Sequence, residues 1–478
     1  MIVCDTLIRG ATVIDGTGAA PVEADVAIVG DGIAAIGDLR DYTAKQLVAA
    51  KGRVIAPGFI DTHTHDDISV IRSPEMLPKL SQGVTTVIVG NCGICAAPVR
   101  LKGDPPEPMN LLGGAKDFRY STFADYVVAV QKSRPAVNVA ALVGHTALRN
   151  NHMDSLERAA TADEIGAMQV QLRESLDHGA IGLSTGLAYS AASSASTEEV
   201  LALAEPLAKA GGLYATHMRT EGQAILQAMD EAFRIGRDSQ VPVVISHLKC
   251  AGIDNWGRSG EILRAFDAAS GGQDVGCDCY PYDASSTTLS ASHVDERVKI
   301  TVTWSTPHPE MGGKTLSEIA ELWRVTQTEA ARRLKPGGAI YHIMSEDDVR
   351  AVLRHPKTMI GSDGLPNDPR PHPRLWGTFP RVLGYYSREQ KLFPLSEAVY
   401  KMTGLPARRF GLGNRGLIKE NYKADLVLFD ADKVRDAATF INPIQPAEGI
   451  EGVWVNGVLS YSGGISCGPR AGRFLARN

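Results

Sequence analysis

Six residues of this chain carry the side chains a divalent metal ion prefers, at positions from which they could share one. His63 and His65 stand two apart in the stretch Ile55–Asp67, after an apolar run that Pro57-Gly58 bends and Phe59-Ile60 resume. In a strand, side chains at i and i+2 share a face, so two imidazoles at the mouth of one buried strand can aim at a single ion. Asp61 and Asp66 flank the pair. Four later apolar runs end in the same manner: Val-Gly-Asn-Cys92-Gly, Tyr-Ala-Thr-His217-Met-Arg, Ile-Ser-His247-Leu-Lys249 and Met-Ile-Gly-Ser-Asp363-Gly. Four imidazoles, a thiolate and a carboxylate match the N, S and O donors that Zn²⁺ takes. Each alone reads as a satisfied polar residue or a cap. Their recurrence at successive strand ends is what points to a metal.

Cys92 also belongs to a C-x-x-C pair with Cys95. A zinc finger would want a second pair nearby and a redox motif an oxidoreductase context; neither is present, and Cys277-x-Cys279 lies on another strand. Neighbouring Asn and Gly open position 92 at its strand end, which favours a metal thiolate there and not at Cys95.

The elements that must position these residues are eight apolar runs alternating with helical stretches. The runs are Val54–Ile60, Thr85–Val89, Val137–Val143, Ala180–Leu183, Gly212–Thr216, Val241–Ser246, Asp274–Asp278 and Thr358–Ile360. Helices are expected at Phe123–Gln131, Ala162–His178, Thr197–Ala210, Gly222–Gly236 and Ser259–Ala269. Alternation of this kind implies a parallel sheet, and eight units imply a closed (β/α)8 TIM-like barrel whose chemistry lies at the C-terminal ends of its strands. The long gap between the seventh and eighth runs predicts an inserted, lid-like element at about 283–345. Residues 1–53 and 405–478 have a different texture, with short β-rich runs separated by Gly and Asp-Gly turns and an Asn456-Gly457 hairpin signal. Neither end has enough strands for a sheet of its own. The reading is therefore an α/β protein with a barrel over 54–404 and a small β-sandwich domain built from both termini.

Composition excludes several classes. A chain of 478 residues with 44% hydrophobic and 22% charged residues is globular and too long for one ordinary core. A net charge of −5 gives no electrostatic footprint for nucleic acid or an anionic membrane. No apolar run approaches a membrane span, the start lacks a signal-peptide pattern, and seven cysteines do not form a disulfide framework. A cytoplasmic protein acting on a small molecule is expected, as a monomer or small homo-oligomer.

The motifs Ala56-Pro-Gly-Phe-Ile-Asp-Thr-His-Thr-His65 and Ile360-Gly-Ser-Asp-Gly364 resemble those of the amidohydrolase superfamily. Gly90-Asn-Cys-Gly93, Gly182-Leu-Ser-Thr-Gly-Leu187, Ser362-Asp-Gly-Leu-Pro-Asn-Asp368 and Arg370-Pro-His-Pro-Arg-Leu-Trp-Gly377 narrow the resemblance to the D-aminoacylases, the N-acyl-D-amino-acid deacylases. Many superfamily members bridge two metals with a carboxylated lysine on the fourth strand. Here no lysine occurs between Lys132 and Lys209, a vacancy that Cys92 could fill.

The resemblance implies that Cys92, His217 and His247 hold a tightly bound zinc, with His63, His65 and Asp363 as a second site of weak or no occupancy. A bound Zn²⁺ brings the pKa of a water to about 7 and stabilises a tetrahedral oxyanion. Amide cleavage then needs a group that takes the water's proton and returns it to the leaving amine, and Asp363 is the candidate. The α-carboxylate of the substrate calls for fixed cations. Lys249 lies on the same strand face as His247. By resemblance Lys249, Arg374 and Tyr280 bind that carboxylate with Ser286, and Tyr189 walls the acyl side. Tyr341 and Met344 resemble the apolar lining of broad-specificity relatives, which favours neutral, hydrophobic D-residues and a small acyl group such as acetyl. D stereochemistry rests on the resemblance alone.

Three alternatives stand beside this reading. Arg297 or Lys299 in the insert could receive an acidic side chain, giving an N-acyl-D-glutamate or N-acyl-D-aspartate deacylase. A cyclic-amide hydrolase of the hydantoinase or dihydropyrimidinase kind should carry the bridging lysine. A non-catalytic assembly protein on an old hydrolase barrel should have lost ligand positions that are all present here.

Overall fold

The computed structural model of the protein describes residues 2–477. Five strands open the chain: β1 (Ile2–Val13), β2 (Val22–Val29), β3 (Gly32–Gly37), β4 (Tyr42–Ala49) and β5 (Val54–Pro57). The barrel strands follow as β6 (Phe59–Asp61), β7 (Val84–Val89), β8 (Asn138–Ala141), β9 (Val143–Gly144), β10 (Gly182–Gly186), β11 (Leu213–His217), β12 (Val243–Ile245) and β13 (Val275–Cys279). Next come three strands of an insert, β14 (Ser285–Thr288), β15 (Ile300–Ser305) and β16 (Gly337–Tyr341), and then the last barrel strand, β17 (Thr358–Ile360). The chain closes with β18 (Leu426–Phe429), β19 (Ile450–Val455), β20 (Val458–Ser462) and β21 (Ile465–Ser466).

The two chain ends build one nine-stranded sheet in the order β21-β20-β19-β18-β5-β1-β2-β3, with β4 also on β1. Ile8, Val13, Val26 and Ile55 from the first half pack with Leu426, Leu428 and Trp454 from the second in one apolar cluster. The β19–β20 turn is Asn456-Gly457, both at positive φ (48° and 79°), the geometry a two-residue hairpin demands.

The expected first barrel strand divides at Pro57-Gly58. Val54–Pro57 pair with β1 and β18 in the terminal sheet, and only Phe59–Asp61 pair with β7. A side chain at Gly58 would strike Thr85, so the bend depends on glycine. Parallel pairing then runs β6-β7-β8 and β9-β10-β11-β12-β13-β17. β8 and β9 are one strand interrupted at Leu142, whose N–H still donates to Val89 (2.9 Å). The Asp363 N–H donates to the His63 carbonyl at 2.7 Å and Thr64 bridges Gly364, which joins β17 to β6 and closes eight strands into a barrel.

Ile60, Ile88, Ala140, Leu142, Ile181, Leu213, Ala215, Val244 and Met359 fill the barrel interior. Leu405, Ala407, Phe410 and Leu412 join that cluster and close the end away from the metal-ligand candidates. Residues 405–412 therefore pack as part of the barrel, and the boundary expected at 405 shifts accordingly. The C-terminal segment also returns to the barrel, where Val139 donates to Arg473 (2.9 Å) and Leu475 donates to Val139 (2.7 Å).

The outer helices include Phe123–Ser133, Ala162–Asp177, Thr197–Ala210, Ile225–Ser239 and Ser259–Ser270. Thr161 and Glu164 form a reciprocal capping box at the second of these, and Ser196 caps the third. The helix expected from Gly222 starts three residues later, because Gly222 favours no helical turn and the loop before it is drawn into the site described below. The insert is an antiparallel sheet in the order β14-β16-β15 with helices Leu316–Trp323 and Gln327–Leu334. It has its own apolar core of Leu289, Val302, Ile319, Leu334 and Ala339.

Candidate metal centre

All six ligand candidates meet at the C-terminal mouth of the barrel. Ligand atoms of His63, His65, Cys92 and Asp363 lie within 4.8 Å of one another, and so do those of Cys92, His217 and His247. Cys92 belongs to both groups. Its sulfur lies 3.1 Å from His63 Nε2, 3.4 Å from His247 Nε2 and 3.7 Å from His217 Nδ1. Asp363 Oδ1 is 3.1 Å from His65 Nε2 and 3.6 Å from His63 Nε2.

These distances fit zinc. With Zn–S near 2.3 Å and Zn–N near 2.0–2.1 Å, a tetrahedron has an S···N edge of about 3.6 Å. The Cys92 distances to His247 and His217 bracket that value. Burial alone would raise the Cys92 thiol, yet the neighbouring His63 and His247 carry it well below its ordinary value, toward the thiolate that binds metal. For Asp363, burial is overcome by the Arg374 guanidinium and His63, and its carboxyl sits well below the usual range.

Cys92, His247 and Asp363 have φ angles of 54°, 36° and 50°, a left-handed region non-glycine residues rarely adopt. Each stands where a strand has just ended and its side chain must turn toward the barrel axis. Strain of about 1–3 kcal/mol per residue persists at such sites when surroundings over-determine it. The mouth of β10 carries Ser184 and Gly186. The Gly93 N–H donates to Ser184 Oγ at 3.0 Å, and a side chain at 186 would collide with the Cys92 carbonyl. Glycine at 186 thus leaves room for the Cys92 turn.

Three buried supports have no counterpart in the sequence reading. Asp278 Oδ1 accepts from the His247 N–H (2.9 Å) and lies 3.4 Å from His63 Nδ1. Lys79 Nζ, fully buried, contacts Asp61 Oδ2 at 2.8 Å, Ser362 Oγ at 3.0 Å and Asp66 Oδ2 at 3.2 Å, tying the β6 mouth to the β17 mouth. Glu221 Oε1 lies 2.7 Å from His247 Nδ1 and 2.6 Å from Lys249 Nζ. No spacing marks such residues. Only the flanking aspartates of the His-x-His pair were visible beforehand.

Beside the ligands opens a cavity of about 430 Å³. Tyr280 lies on its wall between two cations, with the Arg374 guanidinium 4.6 Å and Lys249 Nζ 5.6 Å from the ring centre. Arg374 contacts Asp363 Oδ2 (3.0 Å) and donates to the Ser286 carbonyl (2.9 Å), while its Nε and Nη1 have no partner. Ser286 faces the cavity with an unpartnered hydroxyl. Tyr189 stands with its ring 4.8 Å from that of His217 and its hydroxyl 3.1 Å from Thr287 Oγ1 of the insert. Tyr341 lines the cavity with its ring, its hydroxyl donating to the Thr288 carbonyl at 3.1 Å.

Two expectations differ from the structure. Met344 is off the cavity wall, buried behind Tyr280 with its sulfur 4.0 Å from the tyrosine hydroxyl, because the chain leaves β16 outward. Ile343 takes the place on the wall. Arg297 is paired with Asp254 and Asp295 at 2.8 and 2.7 Å, and neither it nor Lys299 lines the cavity, although Asp295 does.

A family model for the amidohydrolase family matches residues 46–266 and 308–461. The chain belongs to the amidohydrolase family. Within it, the chain is 50% identical to a D-aminoacylase of Alcaligenes xylosoxydans xylosoxydans over 99% of its own length and 98% of the relative's. It is 47% identical to an N-acyl-D-aspartate deacylase of the same organism, over 99% and 95% of the two chains. The solved structure of an N-acyl-D-glutamate deacylase from Bordetella bronchiseptica, complexed with zinc and a phosphonate mimic of the tetrahedral intermediate, superposes with a TM-score of 0.96 at 45% identity, covering 99% of each chain. The D-aminoacylase resemblance read from the motifs is borne out, as is the barrel with its small β domain.

Proposed function

We propose that this protein is a zinc-dependent N-acyl-D-amino-acid deacylase, cleaving the amide of N-acetylated neutral, hydrophobic D-amino acids to the free amino acid and a carboxylate. The observation that carries the reading is the adjacency of two sites: the Cys92, His217 and His247 triad, and the pair of cations flanking Tyr280, with Asp363 between them.

Cys92, His217 and His247 would hold the tight zinc, and His63, His65 and Asp363 a second, weaker position. When bound, the ion supplies Lewis acidity, acidifying a water and polarising the acyl carbonyl. Asp363, ionised at neutral pH, takes the water's proton at Oδ1 and delivers it to the leaving nitrogen. Arg374, with Nε and Nη1 free, and Lys249 fix the α-carboxylate, while Ser286 adds a hydroxyl. Tyr189 bounds the acyl side. The insert contributes Ser285–Thr287, His293 and Tyr341 to the wall and covers the cavity as a lid-like element.

A hydrophobic side chain is supported by Tyr341, Ile343 and Leu365 on the wall and by Arg297 being paired with Asp254 and Asp295 and not itself lining the cavity. The likeness to the aspartate and glutamate deacylases keeps acidic substrates as the second reading. All seven cysteines are free thiols, which suits a cytoplasmic protein, and no helix among the described residues is long and apolar enough to cross a membrane.

The test is hydrolysis of paired N-acetyl-D- and N-acetyl-L-methionine, leucine, phenylalanine, glutamate and aspartate, with zinc measured on the same preparation. Turnover of the D-methionine, D-leucine or D-phenylalanine derivatives supports the reading. Turnover confined to D-glutamate or D-aspartate replaces it with the second.

A further inference from the structure

Glu221 lies four residues beyond His217, on the loop that leaves β11, and its side chain is only 10% exposed. The Ala251 N–H donates to the Glu221 carbonyl at 2.8 Å, binding this loop to the one that leaves β12. One carboxylate oxygen then meets two groups of different duty: His247 Nδ1 at 2.7 Å and Lys249 Nζ at 2.6 Å. His247 turns Nε2 toward Cys92 Sγ, so Nε2 is its metal-facing nitrogen and Nδ1 carries the proton. That N–H donates to Glu221, an arrangement that fixes ring orientation and raises the donor strength of the other nitrogen. Lys249 Nζ is also 2.8 Å from His247 Nδ1, but a protonated Nδ1 accepts nothing from it. Glu221 is the common acceptor that lets the ammonium and the imidazole N–H sit side by side.

We infer that Glu221 is a positioning residue that couples the zinc site to the substrate-carboxylate site, a role that rests on the deacylase reading above. The geometry at the carboxylate site supports it. Glu221 fixes the Lys249 ammonium beside Tyr280, where a substrate carboxylate can share it, as Asp363 fixes the Arg374 guanidinium on the other side of that ring. A substrate carboxylate that shares the Lys249 ammonium leaves more of the Glu221 charge to His247. Its imidazole then becomes a stronger donor in the substrate-bound state. Metal affinity and carboxylate affinity therefore reinforce one another through a single oxygen atom.

The experiment uses the zinc-loaded full-length protein and its Glu221→Gln and Glu221→Asp variants. Zinc retention is read by competition with a chelator, and kinetics by N-acetyl-D-methionine against its carboxamide. For Glu221→Gln, retention falls by about 10–100-fold. At saturating zinc, KM for N-acetyl-D-methionine rises by about fivefold or more while kcat is restored, and KM for the carboxamide is unmoved. Glu221→Asp recovers part of both. Wild-type retention in Glu221→Gln overturns the inference, as does an equal loss of kcat on both substrates at saturating zinc, the mark of a structural role alone. If the wild-type protein turns over no N-acyl-D-amino acid, the substrate reading fails while chelator competition still decides whether Glu221 supports the zinc site.

Discussion

Two buried polar clusters with histidines differ in who satisfies whom. Beneath the helix Thr197–Ala210, His145 Nε2 and Arg149 Nη1 both meet Glu199 Oε1, at 2.9 and 2.5 Å, and the Ala160 N–H donates to Oε2 at 3.1 Å. Arg149 spends its remaining donors on the carbonyls of Ala191, Leu156 and Arg158. Both Glu199 oxygens and all three Arg149 guanidinium nitrogens are engaged there, and of the three residues' side-chain polar atoms only His145 Nδ1 is left without a partner. At the barrel mouth the atoms that converge are mostly acceptors and lone pairs, a sulfur, ring nitrogens and a carboxylate oxygen, pointing at a common space rather than at one another. Three of those residues hold left-handed backbone to do so, whereas His145, Arg149 and Glu199 do not. Residue types alone would not separate a metal site from a structural network. The balance of donors and acceptors does.

The sharpest break in that comparison comes from single ligands. Cys92→Ala loses tight zinc and lowers turnover by about 10³-fold or more, checked by metal content beside rate. Asp363→Ala abolishes turnover with tight zinc retained, and full activity in that variant would remove Asp363 from the mechanism. The converse holds for the Glu199 cluster. Glu199→Gln leaves kcat unchanged but strips a buried Arg149 of its counter-charge, destabilising the fold by about 3–5 kcal/mol in urea titration. A large kcat loss there would contradict a structural role.

The same cluster sets a pH signature. Burial raises the Glu199 carboxyl, but His145 and Arg149 outweigh it and bring it to about 2, against an ordinary 4.5. A depressed folded pKa contributes stability above the unfolded value and loses it as pH falls toward the folded one. The stability gap between wild type and Glu199→Gln is therefore full at neutral pH and narrows from about pH 4.5 to about 2. A gap constant over that window would deny the ion pair its part. The smallest effect is expected of Arg297→Ala, whose exposed pairs with Asp254 and Asp295 are screened by solvent, and whose turnover of N-acetyl-D-methionine stays within about twofold of wild type.

What the sequence disclosed follows the same division. Barrel strands announce themselves by apolar runs, and first ligands by their place just after those runs, so β7, β11 and β12 and the residues Cys92, His217 and His247 were legible. Asp278, Lys79 and Glu221 were not, because a supporting charge needs only to reach its partner in space and obeys no period. The terminal sheet hid its border for another reason. Val54–Pro57 and Phe59–Asp61 are one apolar run in sequence, and only the Gly58 bend against Thr85 sends its halves to different sheets. Met344 misled because a methionine near a cavity and one lining it look alike in sequence.

That terminal sheet carries a consequence for how the molecule is made. β5 is hydrogen-bonded to β18 over Val54–Pro57, and β18 emerges only after the entire barrel has been synthesised. Throughout translation the free edge of β5 is an apolar strand awaiting a partner, the kind of edge that recruits neighbouring chains. β18, synthesised after the barrel, is the strand that covers this edge.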